Sequence, residues 1–253
     1  MLFCSLKQTT YRQMKKAYSF SVRPQDVDFQ YRITPAALTD MLLTTAGMNA
    51  DENGFGIRDL NNDDCSWVLL RMAVEIKKFP IQYEKIEVET WVEEVGRAST
   101  TRNFRITNAE GQLIVKAVSN WAMINVVTRR AQDLIALEGI HAFANGESNE
   151  MEKPVRLQSV ETEPVGEFNV KYSHIDINGH TNSIRYVEWI TDCFSLDTYK
   201  SKQIKRFEIN YINEILFGDK VSIYMQETET DDFRFELRKN GNTACKARVL
   251  FGE

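Results

Sequence analysis

The heptapeptide Asp176-Ile-Asn-Gly-His-Thr-Asn182 brings one carboxylate, two carboxamides and an imidazole into seven residues, with Gly179 between Asn178 and His180. An imidazole exchanges its proton near neutral pH and can serve as a general base or acid. On an extended segment alternate side chains point the same way, which sets Asp176, Asn178 and His180 on one face. Asn182 is a helix-capping residue type, and Val187, Ile190 and Phe194 recur beyond it at helical spacing. The motif therefore ends at a helix N-terminus, whose unpaired amides and positive dipole end suit an oxyanion. The same residues also make an ordinary polar turn, so on local grounds capping and catalysis both stand.

The elements that position this motif occur twice. Val22 to Asp28 aligns with Val170 to Asp176 at an offset of 170 − 22 = 148, which sets Gln30 on Asn178, Arg32 on His180 and Thr34 on Asn182. In the first copy Thr34-Pro35 reads as an N-cap and first helical residue, followed by a stripe of Leu38, Met41, Leu42 and Thr45. Each helix is followed by segments rich in β-branched and aromatic residues. These are Trp67 to Ile76, Lys85 to Val92, Thr101 to Ile106 and Leu113 to Ile124, then Lys205 to Ile212, Lys220 to Met225, Phe233 to Arg238 and Ala244 to Phe251. A helix followed by an antiparallel meander is an α+β pattern in which a sheet wraps its apolar face around the helix. The stretch from Gly139 to Glu163 has no regular period and reads as a linker. The expected division is residues 1–138, a linker 139–163, and 164–253.

Composition narrows the rest. A chain of 253 residues with 43% hydrophobic and 26% charged residues is globular and long enough for a large core. A net charge of −5 argues against a general nucleic-acid binder. Cys4, Cys65, Cys193 and Cys245 lie far apart and away from the three histidines, so neither a zinc site nor any other metal is expected, and free thiols fit a reducing cytoplasm. The N-terminal stretch is too polar for a signal peptide, and no apolar run approaches a membrane span.

This arrangement resembles the acyl-acyl-carrier-protein (acyl-ACP) thioesterases of plants and bacteria. The resemblance runs through Trp67 to Met72, Val88 to Val92 and Thr128-Arg-Arg130 in the first half, and through Asp176-Ile-Asn-Gly-His180, Asn182 and Tyr211-Ile-Asn-Glu214 in the second. It implies two tandem hotdog folds and hydrolysis of fatty acyl-ACP with no cofactor, the carrier protein being the partner. The family's aspartate, asparagine, histidine and downstream glutamate fall on Asp176, Asn178, His180 and Glu214. Ile215 stands where the plant enzymes typically have a cysteine, which excludes a thiol nucleophile there.

On that resemblance His180 and Glu214 activate water, with the proton acceptor left open between them; Asn178 positions water or carbonyl and Asp176 holds the turn. The counterparts of His180 and Glu214 in the first half are Arg32 and, at the later-strand offset of 221 − 86 = 135, Phe79. Neither is a base at neutral pH. The first half is therefore expected to shape the acyl pocket, with Met41, Leu42, Trp67 and Leu69 as its lining and Asn182 as a further substrate contact. Lys15-Lys16, Lys77-Lys78, Arg129-Arg130, Lys200, Lys202, Lys205 and Arg206 are candidates for docking an acidic carrier. A hotdog dehydratase or hydratase and a non-catalytic acyl-binding module are the competing readings. Two hotdogs in one chain supply their own pairing, so a monomer or a homodimer is expected.

Overall fold

The structure, a computed structural model, describes residues 15–61, 64–137 and 139–252. Cys4 and the expected limits at residues 1, 138 and 253 lie outside the described residues. The first half runs β1 (Lys16–Ser21), a 3-10 turn (Pro24–Asp26), α1 (Pro35–Glu52), α2 (Ile57–Asn61), β2 (Cys65–Ile76), β3 (Lys85–Val95), β4 (Thr100–Asn108) and β5 (Leu113–Asn125). The second runs β6 (Pro164–Asn169), a 3-10 turn (Tyr172–His174), α3 (Ser183–Thr191), α4 (Leu196–Ser201), β7 (Gln203–Tyr211), β8 (Lys220–Glu229), β9 (Asp232–Lys239) and β10 (Asn242–Gly252). The turns and main helices are related by 172 − 24 = 148 and 183 − 35 = 148, the register expected from the repeat.

The ten strands form one antiparallel sheet in the order β1-β3-β4-β5-β2-β7-β10-β9-β8-β6, which maps onto itself when the halves are exchanged. The halves join at its centre, where β2 pairs with β7 over five positions from Arg71↔Asn210 to Glu75↔Arg206. α1 and α3 pack against each other, and a single core of side chains such as Leu38, Leu42, Phe104, Val187, Phe207 and Phe235 spans both halves. Fully burying one such leucine or phenylalanine contributes about 1.5–3 kcal/mol. This is the tandem helix-in-sheet architecture that the resemblance implies.

α1 opens as expected, with Thr34 Oγ1 accepting the Ala37 N–H at 3.1 Å and Pro35 at the first helical position. α3 departs from expectation: it ends at Thr191, so Phe194 is not part of its stripe. Ser195 Oγ accepts the Thr198 N–H at 3.2 Å and caps the separate helix α4. Phe194 instead packs edge-on against Phe233, Phe235 and Phe251.

The segment between the halves is a strap across the polar face of the sheet. Pro154, Leu157 and Val160 are buried at every third residue, the period of an extended three-fold chain. Polar side chains from the sheet hold it: Asn210 Oδ1 accepts the Leu157 N–H at 2.9 Å, Glu236 Oε2 accepts the Val160 N–H at 3.1 Å, and Arg206 Nη2 donates to Glu152 O at 3.0 Å. No described helix is long and apolar enough to cross a membrane.

Candidate active site

The motif turn is built by its first residue. Asp176 Oδ1 accepts the backbone N–H groups of Asn178 at 2.8 Å and His180 at 3.2 Å, and the Asp176 N–H donates to His180 O at 2.8 Å. Gly179 closes the turn at φ 79°, in the left-handed region that glycine enters without steric cost. The first half repeats the construction: Asp28 Oδ1 accepts from Gln30 N at 2.8 Å and Arg32 N at 3.0 Å, and Tyr31 holds the left-handed position at φ 61°. The aspartate thus organises backbone in both copies, one with the histidine and one without it.

Backbone pairing carries His180 to the second carboxylate. Thr181 N–H donates to Ile215 O at 2.8 Å, and His180 forms a bridge with Leu216. The result places His180 Nε2 at 3.3 Å from Glu214 Oε2, both side chains partly open to solvent at 30% and 42%. Glu214 Oε1 meanwhile accepts from Arg129, and Lys239 Nζ donates to the Glu214 carbonyl at 2.9 Å. The bond to Glu214 is the largest cause raising the Arg129 pKa above its ordinary value.

Asn178 is exposed, and Asn182 Oδ1 caps α3 by accepting the Ile184 N–H at 2.9 Å. His174 stays out of the pair. Its ring lies 5.2 Å from Trp189, its Nδ1 accepts from Lys171 N at 3.1 Å, and burial, then Arg185 and Lys171, lowers its pKa.

In the first half the matching side chains also face each other. The Arg32 guanidinium carbon lies 5.9 Å from the Phe79 ring centroid, and Nη2 donates to Asp28 Oδ2 and to Tyr199 O at 3.1 Å each. A void of about 20 Å³ adjoins them.

A larger cavity, about 420 Å³, lies in the first half between α1, the α2 region and the sheet, a volume suited to a small-molecule ligand. Trp67 lines it, with its Nε1 donating to Phe55 O at 2.9 Å. Met41, Leu42 and Leu69, the other expected wall residues, are in the main core instead. For Met41 and Leu42 the reason is helical register: Gly47 and Ala50 project to the cavity side of α1, Leu43 and Ala46 border both cavity and core, and Met41 and Leu42 face the core. The wall also includes Ile177, from inside the motif of the other half and 92% exposed. The cavity of one half thus reaches the histidine-bearing turn of the other. Nothing in the local sequence pointed to Ile177 or to Arg129 at Glu214.

Most of the candidate docking cations are occupied. Lys15 pairs with Glu147, Lys16 with Glu52, Lys200 with Asp197, Lys202 with Asp231 and Arg129 with Glu214, while Arg206 is buried against Glu208. Lys77, Lys78 and Arg130 are exposed. Among the described residues no group of three or more His, Cys, Asp and Glu side chains is arranged to hold a metal ion.

Comparison with known proteins covers both halves of the chain. The family model for the acyl-ACP thioesterase N-terminal domain matches residues 13–138, and that for the C-terminal domain matches residues 157–253. A crystal structure of an acyl-ACP thioesterase from Bacteroides thetaiotaomicron is 41% identical, covers 94% of this chain and 98% of its own, and superposes with a TM-score of 0.87. The chloroplastic oleoyl-acyl carrier protein thioesterase 2 of Arabidopsis thaliana is 25% identical over 90% of this chain and 68% of its own length. The chloroplastic palmitoyl-acyl carrier protein thioesterase of Gossypium hirsutum is 26% identical over 78% of this chain, which spans only 51% of that longer protein. With both domain models matched in order and a bacterial relative aligned along nearly its whole length, the chain belongs to the acyl-ACP thioesterase family.

Proposed function

We propose that the chain hydrolyses fatty acyl-ACP thioesters, with His180 and Glu214 as the water-activating pair. The observation that carries this reading is the 3.3 Å approach of His180 Nε2 to Glu214 Oε2 on a solvent-accessible turn whose Ile177 also lines the 420 Å³ cavity. The acyl chain occupies the first-half cavity, and the thioester emerges beside Ile177 at the turn. Water held by the pair loses its proton as its oxygen attacks the carbonyl carbon. Glu214 fixes the imidazole or shares the proton, and general-base assistance of this kind is typically worth about 10²–10⁴ in rate.

Asn178, exposed on the same turn, orients the water or the carbonyl. Asp176 acts through the backbone, holding the amides of Asn178 and His180 in place. The N-terminus of α3 faces the developing oxyanion: Asn182 has taken the Ile184 amide, which leaves the amide of Ser183 for the substrate oxygen. Collapse of the tetrahedral intermediate expels the carrier thiolate, which takes up a proton to leave as thiol, with free fatty acid as the other product.

Residues 139–163 join an acyl-binding half, 1–138, to a catalytic half, 164–253, in this reading. The setting is cytoplasmic, in accord with the free thiols of Cys193 and Cys245. The paired halves make a monomer sufficient and leave a homodimer open to measurement. The test is incubation of the purified protein with acyl-ACP of several chain lengths. Release of free thiol and free acid is expected. An enoyl product, or tight binding without turnover, overturns the proposal in favour of a lyase or a binding module.

A further inference from the structure

The cavity wall contains three charges that the proposed chemistry does not use, exposed Asp51 and Arg58 and buried Arg102. Arg102, on β4, is 5% exposed and lines the cavity together with apolar residues such as Val92, Phe55 and Phe143. Its guanidinium has five N–H donors, and Nη1 uses two of them, on Asn49 Oδ1 at 2.9 Å and Thr90 Oγ1 at 3.2 Å. Among the described residues Nε and Nη2 have no hydrogen-bond partner, and no carboxylate lies within salt-bridge distance of the group. Its face lies 5.9 Å from the Phe55 ring centroid. Burial lowers its pKa to about 10, so it remains a cation at neutral pH. Exposed Gly47, Asp51, Ile57, Arg58 and Ile177 line the open side of the same cavity, and Arg102 belongs to its covered wall.

A buried cation with donors to spare, in a cavity whose other buried wall side chains are apolar except Thr100, is costly unless something completes its hydrogen bonds. Water can do so when no acyl chain is bound. A methyl-ended acyl chain that reaches the guanidinium displaces that water and strands the donors, whereas a chain ending in oxygen replaces it. We propose that Arg102 is a specificity-determining residue that selects acyl chains carrying an oxygen function, such as a hydroxyl, at the end remote from the thioester. The inference rests on the thioesterase reading above for the direction in which the chain enters.

The test pairs each straight-chain acyl-ACP from octanoyl to hexadecanoyl with its ω-hydroxy counterpart and measures kcat/KM for thiol release. At the lengths that reach Arg102 the wild type is expected to prefer the ω-hydroxy substrate by about tenfold to a hundredfold, the value of one hydrogen bond to a charged group. Arg102→Met is expected to abolish that preference, and Arg102→Lys to retain part of it. A ratio near unity at every length in the wild type, with the unsubstituted thioesters turned over, overturns the inference and leaves the hydrolase reading standing. If no thioester is turned over the hydrolase reading fails, and the Arg102 proposal is then decided by binding. Hydrolysis-proof amide analogues ending in methyl or hydroxyl are titrated into the wild-type protein, with the fluorescence of Trp67 and Trp121 in the cavity wall as the signal. Equal affinities at every length overturn the inference, and this arm does not depend on the folding of any variant.

Discussion

Arg129 and Glu214 lie 85 residues apart, in different halves of the chain, and meet in a salt bridge beside His180. Glu214 therefore stands between an imidazole from its own half and a guanidinium from the other. Arg129 sits at φ 59° in the loop after β5, and its amide donates to Asn125 O at 2.9 Å, so the loop is shaped to deliver it. Arg129→Ala is expected to lower kcat by roughly tenfold through misplacement of the carboxylate. Because the pair is half-exposed, stability should change by less than about 1 kcal/mol. Steady-state kinetics and a thermal melt on the same preparation check both; unchanged kcat would show that Glu214 needs no such support.

His180→Ala and Glu214→Gln are each expected to reduce turnover by about 10²–10⁴. Both side chains are partly exposed, so melting temperatures should stay close to the wild type. Full activity in either variant removes it from the proposed pair.

Arg32→Ala tests the other half. It removes bonds to Asp28 and Tyr199 O and the contact with Phe79, and is expected to cost about 1–3 kcal/mol in stability. Specific activity of the folded fraction should be retained. A loss of activity without loss of stability, read by urea unfolding alongside kinetics, would give Arg32 a part in the reaction.

Cys193 reports on the thiol question. Burial, followed by the charge of Asp192, raises its pKa to about 11, and its Sγ lies 3.3 Å from Trp189 O. It stays protonated at neutral pH, so the native protein should be alkylated slowly at this position and Cys193→Ala should keep its turnover. Fast alkylation coupled to inactivation would contradict this.

Stability in acid should depend on Glu236. Burial acts to raise its pKa, but the hydrogen bonds from Arg238, Thr243 and the Val160 amide together lower it below the ordinary glutamate value. A depressed carboxylate contributes stability that is present above its unfolded pKa and lost as pH falls through the folded one. Glu236→Gln is therefore expected to destabilise the protein by about 1–3 kcal/mol at neutral pH. The gap from the wild type should close as the pH drops below the usual glutamate range. A gap independent of pH in urea titrations would assign the effect to shape and not to charge.

Much of the framework was legible in the sequence because it depends on local chemistry repeated at a fixed spacing. Asp28 and Asp176 make the same turn, Thr34 and Asn182 cap the same helix, and the bridges Arg32↔Ile81 and His180↔Leu216 keep both offsets. The pairing of Arg32 with Phe79 follows from that register. The contributions of Arg129 and Ile177 were not legible, since each crosses to the other half and no spacing within one half encodes the crossing. The choice of Met41 and Leu42 as cavity wall failed for a smaller reason: apolar periodicity marks the buried face of α1 without separating core from cavity. Phe194 misled in a similar way, because its helical spacing from Ile190 runs past the end of α3 at Thr191.

The seam between β2 and β7 has one more implication. In a two-fold homodimer every substitution is written twice, so a change that improves one copy of a site is imposed on the other. Joining the copies in one polypeptide removes that obligation. Position 32 can hold arginine while position 180 holds histidine, and each half of this sheet is free to answer to a separate demand.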